Sequence, residues 1–195
     1  MARWLALLLL VAGCRQPGPA GPVHFAREEV WLDVRPGVLV VSATYHFTCA
    51  AKQPVIGLMS YPFPVDSLNP YPDSIVIARY ESGPPAAGLA ARSFERNDTA
   101  VVFPLRFAPG REDSFFAWYR QPLRSNSARY IVTSTRQWRR PIDRASFRVS
   151  VPARFRAVEL SFEPDSVVIV DSIRNYYFTR RQFWPDRDVV VEWAR

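Results

Sequence analysis

Residues 38–49 read Val38-Leu39-Val40-Val41-Ser42-Ala43-Thr44-Tyr45-His46-Phe47-Thr48-Cys49. Leu39, Val41, Ala43, Tyr45, Phe47 and Cys49 fall on one face of an extended chain, and Ser42, Thr44, His46 and Thr48 on the other. A period of two held this long is what a half-buried antiparallel strand requires. Upstream, 30–34 alternates as well, and Arg35-Pro36-Gly37 joins the two runs as a hairpin turn. Downstream, further strands are predicted at 55–61, 74–81, 99–107, 114–120, 128–135, 145–151, 157–162, 167–172, 176–180 and 189–193. Turn signals separate them: 62–72, 82–88, Asn97-Asp98, Ala108-Pro109-Gly110, Glu163-Pro164-Asp165 and Trp184-Pro185-Asp186. No stretch sustains a 3.6-residue period. Short strands with Pro/Gly punctuation predict an all-β, antiparallel β-sandwich, immunoglobulin-like or jelly-roll-like, with little helix.

Residues 1–14 have a different character. Arg3 precedes an apolar run from Leu5 to Val11, and Val11-Ala12-Gly13-Cys14 closes it with small residues and a cysteine. The run is too short to span a bilayer, which takes about 20 residues, and has the form of a removed signal. Its ending resembles the lipobox of bacterial lipoproteins. The resemblance implies a signal peptide at 1–13, with lipid on Cys14 as the new N-terminus. Several acyl chains exceed the marginal hold of one, at about 0.8 kcal/mol per buried methylene. Residues 14–23, rich in Pro and Gly, form a semi-extended tether, and 24–195 form the sandwich. The small-residue stretch 83–91 marks a subdivision or a long loop, and one continuous sandwich is the favoured reading. Arg15, where lipoproteins retained at the inner membrane often carry aspartate, points by analogy to the outer membrane, on its periplasmic face or the cell surface.

The central strands resemble secreted bacterial β-sandwich proteins of unassigned function. The matching residues are Tyr45 and Phe47, Phe63-Pro64, and Tyr130-Ile131-Val132-Thr133 followed by Trp138. That resemblance spans about half the chain and implies a fold without a chemistry.

The formal charge is +7, and Lys52 is the one lysine among 25 basic residues. The arginines are scattered along every strand, so the bias reads as compositional. A nucleic-acid reader would gather its charge on one face, and none is expected. With Cys14 lipidated, Cys49 has no partner in the chain and is expected to be a buried, inert thiol.

Catalytic signatures are sparse. The two histidines, His24 at the end of the tether and His46 on a polar strand face, stand apart, and no zinc spacing occurs. No Gly-x-Ser-x-Gly or phosphate-cradling glycine loop is present. Glu28, Glu29, Asp66, Asp73, Asp165, Asp186 and Asp188 are read as turn formers or surface charges, and Asp186-x-Asp188 lacks the rest of an EF-hand loop. Neither metal nor cofactor is expected.

The suggestive constellation is aromatic and basic. In Phe115-Phe116-Ala117-Trp118-Tyr119-Arg120 both faces are apolar, which implies a strand covered on both sides or one lining a site. Trp138 is predicted in a loop with Arg136, Arg139 and Arg140, and Trp184 in another after Arg181. Tryptophans beside arginines present stacking surfaces and anion donors together. The alternative is that Trp138 and Trp184 cap the core beneath arginine stems. Trp118, Arg136, Trp138, Arg139, Arg140, Arg181 and Trp184 are therefore the predicted binding residues. The expected role is non-catalytic: a lipid-anchored envelope protein that binds or assembles with an envelope protein. A carbohydrate-binding module, with glycan as ligand, and an envelope glycan hydrolase are the alternatives.

A Cys14→Ser chain should fold normally but leave the membrane pellet for the soluble secreted fraction. Its firm retention in the pellet would contradict the lipoprotein reading.

Overall fold

The computed structural model describes residues 21–80 and 89–194. The signal peptide, Cys14, all but the last residues of the tether and most of the 83–91 stretch lie outside them. The chain runs β1 (Val23–Arg35), β2 (Val38–Cys49), β3 (Val55–Pro62), β4 (Ser74–Tyr80), β5 (Leu89–Ala91), β6 (Glu95–Arg96), β7 (Ala100–Phe107), β8 (Glu112–Pro122) and β9 (Ser127–Tyr130). A 3₁₀ helix (Thr133–Trp138) follows. The chain then continues through β10 (Ile142–Pro152), β11 (Arg156–Leu160), β12 (Ser166–Val170), β13 (Ile173–Phe183) and β14 (Val189–Ala194). The protein is an all-β sandwich, as the alternation predicts.

One eight-stranded sheet, in the order β12-β13-β10-β1-β2-β8-β4-β5, forms one layer. Two three-stranded sheets, β11-β14-β9 and β3-β7-β6, form the other. Pairing is antiparallel except between β1 and β10, which run parallel from Arg27↔Arg144 to Asp33↔Ser150. The predicted hairpin is present: Arg35 pairs with Val38, and Gly37 takes φ 75°. Proline ahead of a positive-φ glycine is the sequence signature of a type II turn. At the far edge, Asp171 and Ser172 both have positive φ between paired Val170 and Ile173, the signature of the type I′ turn that suits strand twist.

The inner face of the large sheet is built by the alternation itself. Val30, Leu32 and Val34 of β1, Leu39, Val41 and Phe47 of β2, and Phe147 and Val149 of β10 are all buried. Val101, Phe103 and Leu105 of β7 meet them from one small sheet, and Val189 and Val191 of β14 from the other. Cys49 is free and buried in the same core.

Three expectations need correction. His24 belongs to β1 and not to the tether, with its Nε2 3.0 Å from Asp143 Oδ2. The strand predicted at 128–135 stops at Tyr130, because Asp188 takes the backbone N–H groups of Val132 and Thr133 and diverts the chain into the 3₁₀ helix. Trp138 therefore stands on that helix and not in a loop. The short β5 and β6 carry too few residues for a periodic signal.

Asp113 is buried on β8 and accepts from Arg79 Nη2 at 2.5 Å and from the Ala108 N–H at 2.6 Å. Removing it leaves a guanidinium and a backbone donor without their acceptor. Asp113→Ala should cost about 3 kcal/mol in urea unfolding, since breaking one side of a buried charge pair strands the other. A loss below about 0.5 kcal/mol, the range of ordinary surface substitutions, would contradict this.

Candidate functional site

Glu28 is in phase with Val30, Leu32 and Val34, so β1 directs its carboxyl into the core. It is 1% exposed. The expectation that it is a turn or surface charge is thereby overturned. A bulge makes the arrangement possible: the β1–β2 register slips between Phe25 and Arg27. That extra residue lets both Phe25 and Glu28 point inward, the re-aiming that β-bulges provide.

Around Glu28 the three sheets meet through tyrosines. Tyr45 comes from β2 of the large sheet, Tyr61 from β3 of one small sheet, and Tyr130 from β9 of the other. Tyr45 OH donates to Tyr61 OH at 2.9 Å and lies 2.6 Å from Tyr130 OH. Glu28 Oε1 is buried with no hydrogen-bond partner.

The network floors a cavity of about 590 Å³. Val55, Gly57, Met59 and Ser60 of β3 line one side of it, and Thr133, Ser134, Thr135 and Gln137 of the 3₁₀ helix the other. Phe25, Phe47, Phe107, Phe115 and Trp138 complete the walls. Of the strand whose two faces are apolar, Phe115 is the residue that lines this cavity. β3 and β9 are edge strands of their respective sheets, so the cavity is the seam between the two small sheets. Gly57 packs closely there: a Cβ would stand 3.2 Å from Phe107 Cε2, so a larger residue would require that ring to shift. The helix is held over the seam by Asp188, whose Oδ1 also accepts from Thr133 Oγ1 at 2.8 Å. Trp138 packs on Phe47 and Phe25 with centroids 5.2 and 6.1 Å apart.

Burial raises the Glu28 carboxyl from the ordinary glutamate range to about 8. It therefore holds its proton at neutral pH. Burial, followed by the charge each would place beside its neighbours, likewise pushes Tyr45 and Tyr130 well above the usual phenol range, and burial raises Tyr61. The floor is neutral but rich in hydrogen-bonding groups.

The predicted binding residues divide into groups. Arg136 stacks on Trp184, guanidinium carbon to ring centroid 5.3 Å, and Trp184 is 42% exposed. Arg136, Arg139 and Arg140 are exposed on and after the helix that carries Trp138, with the Arg139 N–H donating to Arg136 O. Arg181 is exposed on β13, opposite Arg144. Trp118 is half-buried on the outer face of the large sheet, between Ser42 and Val76, and has no part in the cavity. Of the remaining carboxylates, Asp188 departs from the expectation of a turn former or surface charge, being half-buried and bonded to Val132 and Thr133; the others lie at turns or on the surface. Asp66 caps its own turn through the Leu68 and Asn69 N–H groups, Asp73 pairs with Arg120, and Asp165 with Arg180. Glu29 and Asp186 are exposed. Among the described residues no three of His, Cys, Asp and Glu come together as a metal site would need.

No protein-family model and no curated protein sequence matches the chain. Its fold is similar to that of a Legionella pneumophila protein for which nutrient binding is proposed, with TM-score 0.68 and 13% identity over 88% of this chain and 67% of that one. It is also similar to an M1 zinc metallopeptidase from Deinococcus radiodurans, with TM-score 0.54 and 14% identity over 88% of this chain. The match spans 42% of the metallopeptidase chain. At these identities the likeness is one of fold.

The buried carboxyl has a thermodynamic signature. Between the ordinary glutamate pKa and about 8, the folded chain keeps a proton that the unfolded chain has released. Stability is therefore highest below that window and falls as pH rises through it. The slope approaches about 1.4 kcal/mol per pH unit. Urea unfolding at pH 5, 6.5 and 8 should show this decline, and Glu28→Gln should flatten it. A stability that rises over this range in the natural chain would contradict a buried neutral Glu28.

Proposed function

We propose that the protein is a non-catalytic, ligand-binding β-sandwich of the cell envelope, held to the membrane by lipid on Cys14. Its ligand is a small molecule seated in the seam between the small sheets. The observation that carries the reading is the cavity floor, where a buried carboxyl oxygen has no partner beside an aromatic chamber of about 590 Å³. Natural cores leave few such atoms unpaired, and concave apolar chambers with a few convergent polar groups are where small molecules bind. The nutrient binding proposed for the Legionella protein is in keeping with this. A non-catalytic role is supported by the lining, in which Glu28 is the one carboxylate among the described residues; glycoside cleavage uses two. The outer-membrane location follows the lipobox and Arg15.

A second reading concerns the surface beside the cavity. The stacked and exposed Arg136–Trp184 pair offers an aromatic and cationic surface for an envelope protein, or for glycan in the carbohydrate-module alternative, and Arg140 and Arg181 are exposed as well.

N-phenyl-1-naphthylamine, a neutral fluorescent probe of apolar sites, should bind one-to-one with a rise in emission. Ser134→Trp, which places a large ring at the cavity wall, should abolish that binding while leaving the unfolding temperature within a few degrees. No binding, or binding indifferent to the substitution, would contradict the cavity as the ligand site.

A further inference from the structure

The cavity also restricts the charge of what it takes. The chain carries 25 basic residues, yet among the described residues that line the cavity there is no lysine, arginine or histidine. An anionic head would meet no cation there and would sit against Glu28. Five aromatic rings line the same space: Phe25, stacked on Phe47 at 4.8 Å, Tyr45, stacked on Phe115 at 4.6 Å, and Trp138, packed against Phe47. Aromatic faces attract cations, and more so where water is excluded. A buried carboxyl without a partner is the group whose desolvation a bound cation offsets best.

Resting on the reading of the cavity as a ligand site, we propose that its ligand is an organic cation. An amine, from primary to quaternary, would place its head against Glu28 and an apolar or aromatic body along the wall formed by Phe25, Phe47 and Trp138. The neighbours of Glu28 permit this. Ala145 of β10 and Tyr45 of β2 are its partners in register. Tyr61 of β3 and Tyr130 of β9 face it from the small sheets, and Tyr119 of β8 lies beyond Tyr61. All are neutral, so Glu28 is the one group there that changes charge near neutrality. Binding a cation turns the carboxyl into a carboxylate and releases its proton to solvent. Affinity for a cation should then rise with pH up to about 8, by as much as tenfold per unit, and level off above.

The test is isothermal titration with benzylamine, benzyl alcohol and benzoate, three probes of one size and different charge. At pH 7, in buffers of different ionisation enthalpy, benzylamine should bind at least tenfold more tightly than benzyl alcohol and release close to one proton. Benzoate should not bind. Glu28→Gln should erase the preference for the amine and keep benzyl alcohol binding. Equal binding of amine and alcohol without proton release would overturn the cation assignment and leave the cavity as a ligand site. Entry of N-phenyl-1-naphthylamine with no binding of benzylamine would overturn it too. If the naphthylamine probe also fails to enter, the ligand-site reading itself falls.

Discussion

Three sheets must meet around one carboxyl that has no ionic partner, and this constraint organises the interior. Burying Glu28 as an anion would cost several kcal/mol unless a cation or several donors compensated it. Here the group keeps its proton, and the surrounding polarity comes from phenols. Each sheet contributes one hydroxyl, from Tyr45, Tyr61 and Tyr130. Since each hydroxyl both donates and accepts, the network ties the three sheets together without introducing charge.

The same junction explains why the sandwich is not closed on this side. One continuous sheet opposite the large one would have paired β3 with β9. Instead both remain edges of their own sheets, and the seam between them is roofed by the 3₁₀ helix. Asp188 fixes where that helix begins, and Trp138, near its end, packs back onto Phe47 and Phe25. Trp138 packs on the core, as a cap would, and its ring also lines the cavity. Trp184 has the other fate, exposed beneath Arg136.

What was legible in the sequence follows the physics of alternation. β2 could be read residue by residue because its inner face is apolar from Leu39 to Cys49. The start of β1 could not, because the bulge between Phe25 and Arg27 breaks its parity and a glutamate occupies an inward position. Counting back by twos from Val34, Leu32 and Val30 does place Glu28 on the core face, and that was the available signal. Tyr45, Tyr130 and Trp138 belong to motifs that resemble a fold, but nothing local in them states that hydroxyls 85 residues apart will touch. The parallel pairing of β1 with β10 joins segments more than a hundred residues apart. Alternation says which face a residue takes and is silent on which strand lies beside it.

A neutral carboxyl at the bottom of the seam is what the interior is built around. Isotope-edited infrared spectroscopy of ¹³C-glutamate-labelled protein, with Glu28→Gln subtracted, would observe that group directly. The account predicts a protonated C=O band at pH 6 to 7 that gives way to carboxylate bands around pH 8. Carboxylate bands from Glu28 already dominant at pH 6 would contradict it.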